Sequence, residues 1–353
     1  MNKKVSNFIF NINLLLMLMI VLLHSSYLDI AQANSLQWKL MKIINIFCDI
    51  AVPIFFVISG YLFYRNFSNN KYISKLKSRF YSLIIPYFIW SILIFIYYAI
   101  LTNIPFVSNN IENKVDFEIL SIIKNILLAN YVETFWFIRV LIVYIIFSPI
   151  IYCLMNRSGK YGVIIIVGMF LINITNNFAY SNPIFWLPLY LLGTYIALNF
   201  KELIESGEDD KILIVKKRWK ISLIILAAIV LFIITKQYQN NNVMYYVYRN
   251  IFPILILIVC TKINVLYDRK INFINSFFIL AIHMPLIKTI KNVVNITILK
   301  TDTIFNIIIA YLSVYVLTVL TIYILYKFLN KYFPKILNIT IGKRNYDKLE
   351  NSK

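Results

Sequence analysis

The chain has 353 residues and only two histidines, His24 and His283, and both lie inside long apolar stretches. Ionisable side chains are costly in hydrocarbon, so they usually face a polar cavity, a substrate path or a reaction centre. Neutral imidazole can take a proton from a hydroxyl and return it to a leaving group near neutral pH. The competing reading is a pair of buried histidines bonded to neighbouring helices. Arg139 and Asp49 are also charged residues set within apolar runs. With Arg139 in the outer third of the membrane and Asp49 at similar depth, either an ion pair or a role for Arg139 in holding substrate or an oxyanion fits. The chain has no Gly-x-Ser-x-Gly elbow, so Ser59 is not read as a nucleophile; Ser59 and Gly60 suit close helix approach. No Walker or Rossmann glycine pattern is present. Cys48, Cys153 and Cys260 lack paired spacing and fall in apolar stretches, which argues for packing rather than disulfides or a metal site.

The elements that must carry these residues are membrane helices. Apolar residues make up 60% of the chain, charged residues only 14%, and the mean hydropathy is +0.74. Soluble domains carry about a quarter charged residues. The predicted fold is all-α and polytopic, with about ten spans near 9–28, 43–64, 81–102, 134–155, 161–177, 184–200, 220–236, 249–262, 273–292 and 304–328. Residues 116–130 are too polar to span and read as an interfacial or re-entrant helix. The net charge of +20 follows topology: basic groups at Arg65–Arg79, Lys201–Lys220 and from Lys327 onward fall on one side, placing both termini in the cytoplasm. Nucleic-acid binding is therefore not expected. Ala31-Gln32-Ala33 resembles a signal cleavage site, but it lies well beyond the apolar core of the first segment and more spans follow, so an uncleaved first helix is expected. The expected organisation is one transmembrane domain, 1–333, with a short basic cytoplasmic tail, 334–353.

Five segments carry more information together than singly. They are LLMLMIVLLHSSY ending the first span, Pro53-Ile-Phe-Phe-Val-Ile-Ser-Gly-Tyr-Leu62, Trp136-Phe-Ile-Arg-Val-Leu141, Leu187-Pro-Leu-Tyr-Leu-Leu-Gly193, and Ser276-Phe-Phe-Ile-Leu-Ala-Ile-His-Met-Pro285. In this order, over nearly the whole chain, they resemble the membrane acyltransferase-3 family. That resemblance implies a bundle of about ten spans that moves acetyl or other short acyl groups from acyl-CoA to hydroxyls of surface polysaccharides or lipid-linked glycans. It implies the bacterial cytoplasmic membrane as location, no metal, and a bilayer and a glycan as partners. A glycan exporter on the same scaffold is the rival reading.

Within that resemblance His24 is the expected base, or a covalent acyl carrier. Arg139 and His283 are the further catalytic candidates, and Asp49 could orient His24. The basic stretch holding Lys75, Lys77 and Arg79 is the candidate dock for coenzyme A phosphates; its simpler reading is a topology determinant. One departure stands out. The family usually has Arg or Lys three helical turns before the first-span histidine, roughly 16 Å away on the same face. Here that position is Asn13. Either Lys3, Lys4, Lys75, Lys77 or Arg79 supplies the cation, or catalysis is weakened.

Overall fold

The computed structural model describes residues 3–29, 31, 35–104, 114–157, 161–176, 178–205, 227, 230–231, 242–271, 273–298 and 304–342. The predicted span 220–236 and most of the loop 201–219 lie outside the described residues. Regular structure among the described residues is helical throughout. In chain order the principal helices are α1 (Lys3–His24), α2 (Leu36–Cys48), α3 (Ala51–Tyr64), α4 (Tyr72–Arg79), α5 (Ile85–Thr102), α6 (Ile119–Leu127), α7 (Trp136–Ile146), α8 (Ser148–Arg157), α9 (Tyr161–Thr175), α10 (Pro183–Asn199), α11 (Asn242–Cys260), α12 (Ser276–Thr297), α13 (Ile304–Tyr332) and α14 (Pro334–Thr340).

Among the described residues, six helical segments are long and apolar enough to cross a membrane: Lys3–His24, Leu36–Tyr64, Asn69–Thr102, Val243–Cys260, Ser276–Thr297 and Phe305–Tyr332. The predicted span 134–155 is not one straight helix. It breaks at Phe147 into two sharply bent pieces. Pro149, second in α8, lacks an N–H and crowds the turn before it, so a helix can begin there but not run through.

The chain forms two compact units, Met1–Tyr72 with Val143–Asn272, and Ile73–Ile142 with Phe273–Lys353. In the first unit α3 and α10 meet backbone to backbone. A Cβ on Gly60 would overlap the Tyr190 carbonyl oxygen, and one on Gly193 would overlap that of Val57. Small residues at such a crossing give dispersion contact that lipid cannot supply. Phe56 stacks on Trp186 with ring centroids 4.9 Å apart beside this crossing. The early part of α1 is stitched to the short helix Val265–Asp268 and the residues that follow it. Asn7 Nδ2 donates to Tyr267 O (3.1 Å), and Asn11 Nδ2 donates to Leu266 O and Arg269 O (both 2.9 Å). Asn11 Oδ1 accepts from Ile271 N at 2.8 Å. Two asparagines one helical turn apart thus satisfy carbonyls at the end of the short helix Val265–Asp268 and the backbone just beyond it, a requirement in an apolar bundle.

In the second unit, α6 runs back along α5. The segment leading into it bonds the C-terminal end of α5 (Val115 N to Thr102 Oγ1, 3.2 Å). Its own C-terminal end lies against the start of α5, where Ser91 Oγ donates to Ile126 O (2.7 Å) and Tyr87 Oη to Leu127 O (2.9 Å). The chain then reverses through Ala129, whose φ of 47° is left-handed. The side of α6 turned from α5 is an apolar stripe of Ile119, Leu120, Ile123 and Leu127, with Ile119 and Leu120 73% and 74% exposed. Such a stripe suits a helix whose outer neighbour is hydrocarbon. At the same end of the unit, α14 packs on α5: Trp90 Nε1 donates to Thr340 O at 2.9 Å. Just beyond it Gly342, at φ 68°, sits against the Ser82 backbone where a Cβ would overlap the carbonyl. The first residues of the expected basic tail are therefore docked helix.

Candidate functional site

His24 is the last residue of α1 and is partly buried. Its neighbour Leu23 lines a cleft of about 270 Å³ with Lys42, Asn45, Ile46, Asp49 and Tyr245. Four of these six come from one helix and its cap. Residues 42, 45, 46 and 49 fall on a single face because they repeat at the helical period. Helix α2 is fixed at its start by Ser35, whose Oγ accepts from Trp38 N at 3.3 Å. It ends at Asp49, which caps it in a helical conformation before α3 continues.

Asp49 is held by two residues one turn apart on α11. Tyr245 Oη donates to Asp49 Oδ2, and Arg249 Nη2 pairs with Asp49 Oδ1 at 3.2 Å. Arg249 also donates to Tyr180 Oη, and its guanidinium lies 4.1 Å from the Tyr180 ring centroid and 5.4 Å from that of Trp186. Trp186 Nε1 donates to Tyr180 O at 2.7 Å, which ties the loop before α10 into the cluster. The ion pair is largely shielded, with side chains 11% and 17% exposed. The partner of Asp49 is thus Arg249, where the ion-pair reading of the sequence offers Arg139. A charge so placed needs its counter-ion, because desolvation is compensated only by good geometry and further hydrogen bonds.

Arg139 has another task. It donates through Nη1 to the carbonyl of Leu128, one residue past the end of α6, and lies beside the Tyr87 hydroxyl. Ser91, Tyr87 and Arg139 together satisfy three successive carbonyls that end α6, and the cation meets the negative end of its dipole. Arg139 therefore sits at the end of the second unit where α5 begins.

His283 is in the same unit, fully buried on α12, two turns from the start of that helix. Its Nδ1 lies 2.8 Å from Ile279 O, four residues earlier. A carbonyl can only accept, so Nδ1 carries the proton and Nε2 is the basic nitrogen of the neutral ring. The α12 helix is joined to the segment before α7 by Thr134 Oγ1 donating to Leu280 O (2.9 Å), and by a Glu133–Lys288 pair. Phe135 stacks on Tyr87 at 5.3 Å and meets Phe277 at 6.3 Å, so the elements bearing Arg139 and His283 share one aromatic seam. His24 belongs to the first unit, and Arg139 and His283 to the second.

Lys75, Lys77 and Arg79 lie on α4, which passes into a wider π turn, Phe80–Ile84, before α5. Lys75 and Arg79 are one turn apart and share a face; Lys77 is on another and is exposed. Asn13 sits in α1, and its Oδ1 is buried without a hydrogen-bond partner among the described residues. No cluster of three or more metal-ligating side chains occurs among the described residues.

Sequence reasoning did not single out Arg249, Tyr245, Tyr180, Lys42 or Asn45. A signal was present for the first: Arg249 opens a predicted span directly after the aromatic run Tyr245-Tyr246-Val247-Tyr248. The spacing of Lys42, Asn45 and Asp49 was a second, legible once α2 is known to be helical that far outward.

No curated protein and no solved structure matches the chain. A family model described as an acyltransferase domain matches residues 11–327, which covers all five motifs and both histidines. The chain belongs to the acyltransferase-3 family.

Proposed function

We propose that this membrane acyltransferase moves an acetyl or other short acyl group from acyl-CoA to a hydroxyl of a surface polysaccharide or lipid-linked glycan, in a bacterial cytoplasmic membrane. The observation that carries the reading is the family match over residues 11–327, with His24 at the end of α1 next to Leu23, which lines a cleft that also holds Lys42, Asn45 and Asp49. His24 is the base that removes the acceptor proton and returns it to the departing thiolate. In the second unit, Lys75 and Arg79, with Lys77 beside them, dock the coenzyme A phosphates. Arg139 uses its donors not spent on Leu128 for the acyl donor, and His283 offers Nε2 as a further polar contact. Transfer of acyl groups other than acetyl fits the same reading.

The test is purified protein in lipid nanodiscs with radiolabelled acetyl-CoA and a panel of glycans. Labelled acceptor that disappears in His24→Ala is expected. Replacing Lys75 and Arg79 with Gln should raise KM for acyl-CoA by about tenfold, the loss of a charge-assisted contact, with little change in KM for the glycan. One observation favours a glycan exporter instead: Asn13, with its buried and unpartnered Oδ1, stands where the family usually carries a cation. Unmodified glycan crossing vesicle membranes, undiminished by His24→Ala, would establish that alternative.

A further inference from the structure

The cleft beside His24 has a composition that selects among acceptors. Asp49 and Arg249 neutralise each other at its back wall. Lys42 has no carboxylate partner among the described residues; its ammonium lies over the Trp38 ring at 4.3 Å from the centroid, on the preceding turn of the same helix. Counting Arg249, which pairs with Asp49 from outside the lining, the charges around the cleft sum to one positive. Asn45 Oδ1, on the same helix face, is buried and accepts no hydrogen bond from the described residues, and Arg249 Nε behind it is also unpartnered. Buried polar atoms are almost always paired, so an unpartnered amide in a residue of the cleft lining points to something that arrives there. Tyr245 presents a ring, with its hydroxyl committed to Asp49, and Leu23 and Ile46 add apolar wall. At about 270 Å³ the space lies just under the range typical of drug-sized ligands and suits a single sugar ring.

Resting on the acyltransferase reading, we infer that this cleft is an acceptor subsite for an anionic sugar unit, its carboxylate or phosphate held by Lys42 and its hydroxyls by Asn45. A sugar offers what each wall can use: an anion for the ammonium, O–H donors for the amide oxygen, and a C–H face for the Tyr245 ring. A neutral sugar would leave the ammonium without a counter-charge in a partly shielded site. The Asp49–Arg249 pair is a positioning device that keeps α2 and α11 at the spacing of the cleft. The anion comes from a uronic acid or from a sugar or polyol phosphate, and the two differ in geometry enough to be separated by experiment.

Binding and transfer are measured separately, on nanodiscs of uncharged lipid, with three probes: a glucuronate-containing tetrasaccharide, a glycerol phosphate oligomer and a neutral cello-oligosaccharide. Titration calorimetry is expected to show one of the two anionic probes binding about tenfold more tightly than the neutral one, with that advantage lost in Lys42→Gln and kept in Lys42→Arg. In the transfer assay Lys42→Gln should raise KM for the preferred anionic acceptor by a similar factor and leave kcat within about twofold. Equal binding of all three probes, or an anionic preference that persists in Lys42→Gln, overturns the subsite whatever the transfer assay shows. Lys42-dependent binding without any transfer overturns the acyltransferase reading and leaves the anion site standing. An anionic advantage abolished by adding phosphatidylglycerol to the nanodisc would show that Lys42 serves lipid, and the subsite would fall.

Discussion

Charge placement at single residues decides most of what is new in this protein. Asp49 and Arg249 form a shielded pair with Tyr245 and Tyr180 as hydrogen-bonding neighbours. Removing one partner leaves the other charge uncompensated, so Asp49→Ala should destabilise the protein by about 3–5 kcal/mol, while replacing both residues with apolar ones of similar size should recover much of the loss. Thermal unfolding of the two variants in detergent measures this; equal losses would mean the pair is screened by water. Ala129 is the second residue with a clear local demand. A left-handed φ carries a Cβ penalty that glycine lacks, so Ala129→Gly should hold stability or raise it by up to about 1 kcal/mol, and Ala129→Val should lower it. Asn13 is the third. If a cation in α1 assists the donor, Asn13→Arg raises the transfer rate in the nanodisc assay; an unchanged rate would assign the cation's work to other residues.

At the scale of elements, two contacts hold the sites in place. The α3–α10 crossing admits no side chain at Gly60 or Gly193, because the carbonyls of Tyr190 and Val57 occupy the space. Gly193→Val must push the helices apart, and a loss of about 2 kcal/mol or more is expected from packing and strain, read as a lower melting temperature. Gly168 has open space around it and serves as the control, where Gly168→Ala should be tolerated. Helix α6 depends on its capping donors. Arg139→Gln retains a donor for Leu128 O but not the charge at the helix terminus, whereas Arg139→Leu leaves that carbonyl without its side-chain donor. The second should cost about 1–3 kcal/mol and the first less. Hydrogen exchange at Ile126–Ala129 would show which residues lose protection. This element was only half legible in the sequence. The polarity of 116–130 argued against a span, but nothing in one-dimensional periodicity says which helix this segment packs on. That is decided by Tyr87, Ser91 and Arg139, whose partners are distant in the chain.

For the molecule as a whole, the amino-acid sequence by itself determined class and family. Runs of apolar residues near the length of a bilayer leave helices as the open solution, since every backbone polar group must find its partner within the segment. The order of the five motifs carried the family, and the family model bears it out over residues 11–327. The chain could not reveal which charges pair. Asp49 and Arg139 were candidate partners by estimated depth, but Asp49 pairs with Arg249, which lies 200 residues away along the chain. Nor could it reveal that His24 ends beside a cleft built from α2 and α11, because periodicity gives the face of a helix but not what stands opposite. Local pattern fixes secondary structure through the backbone's own hydrogen bonds. The sites here are made by long-range contacts between helices, and only packing in three dimensions decides those.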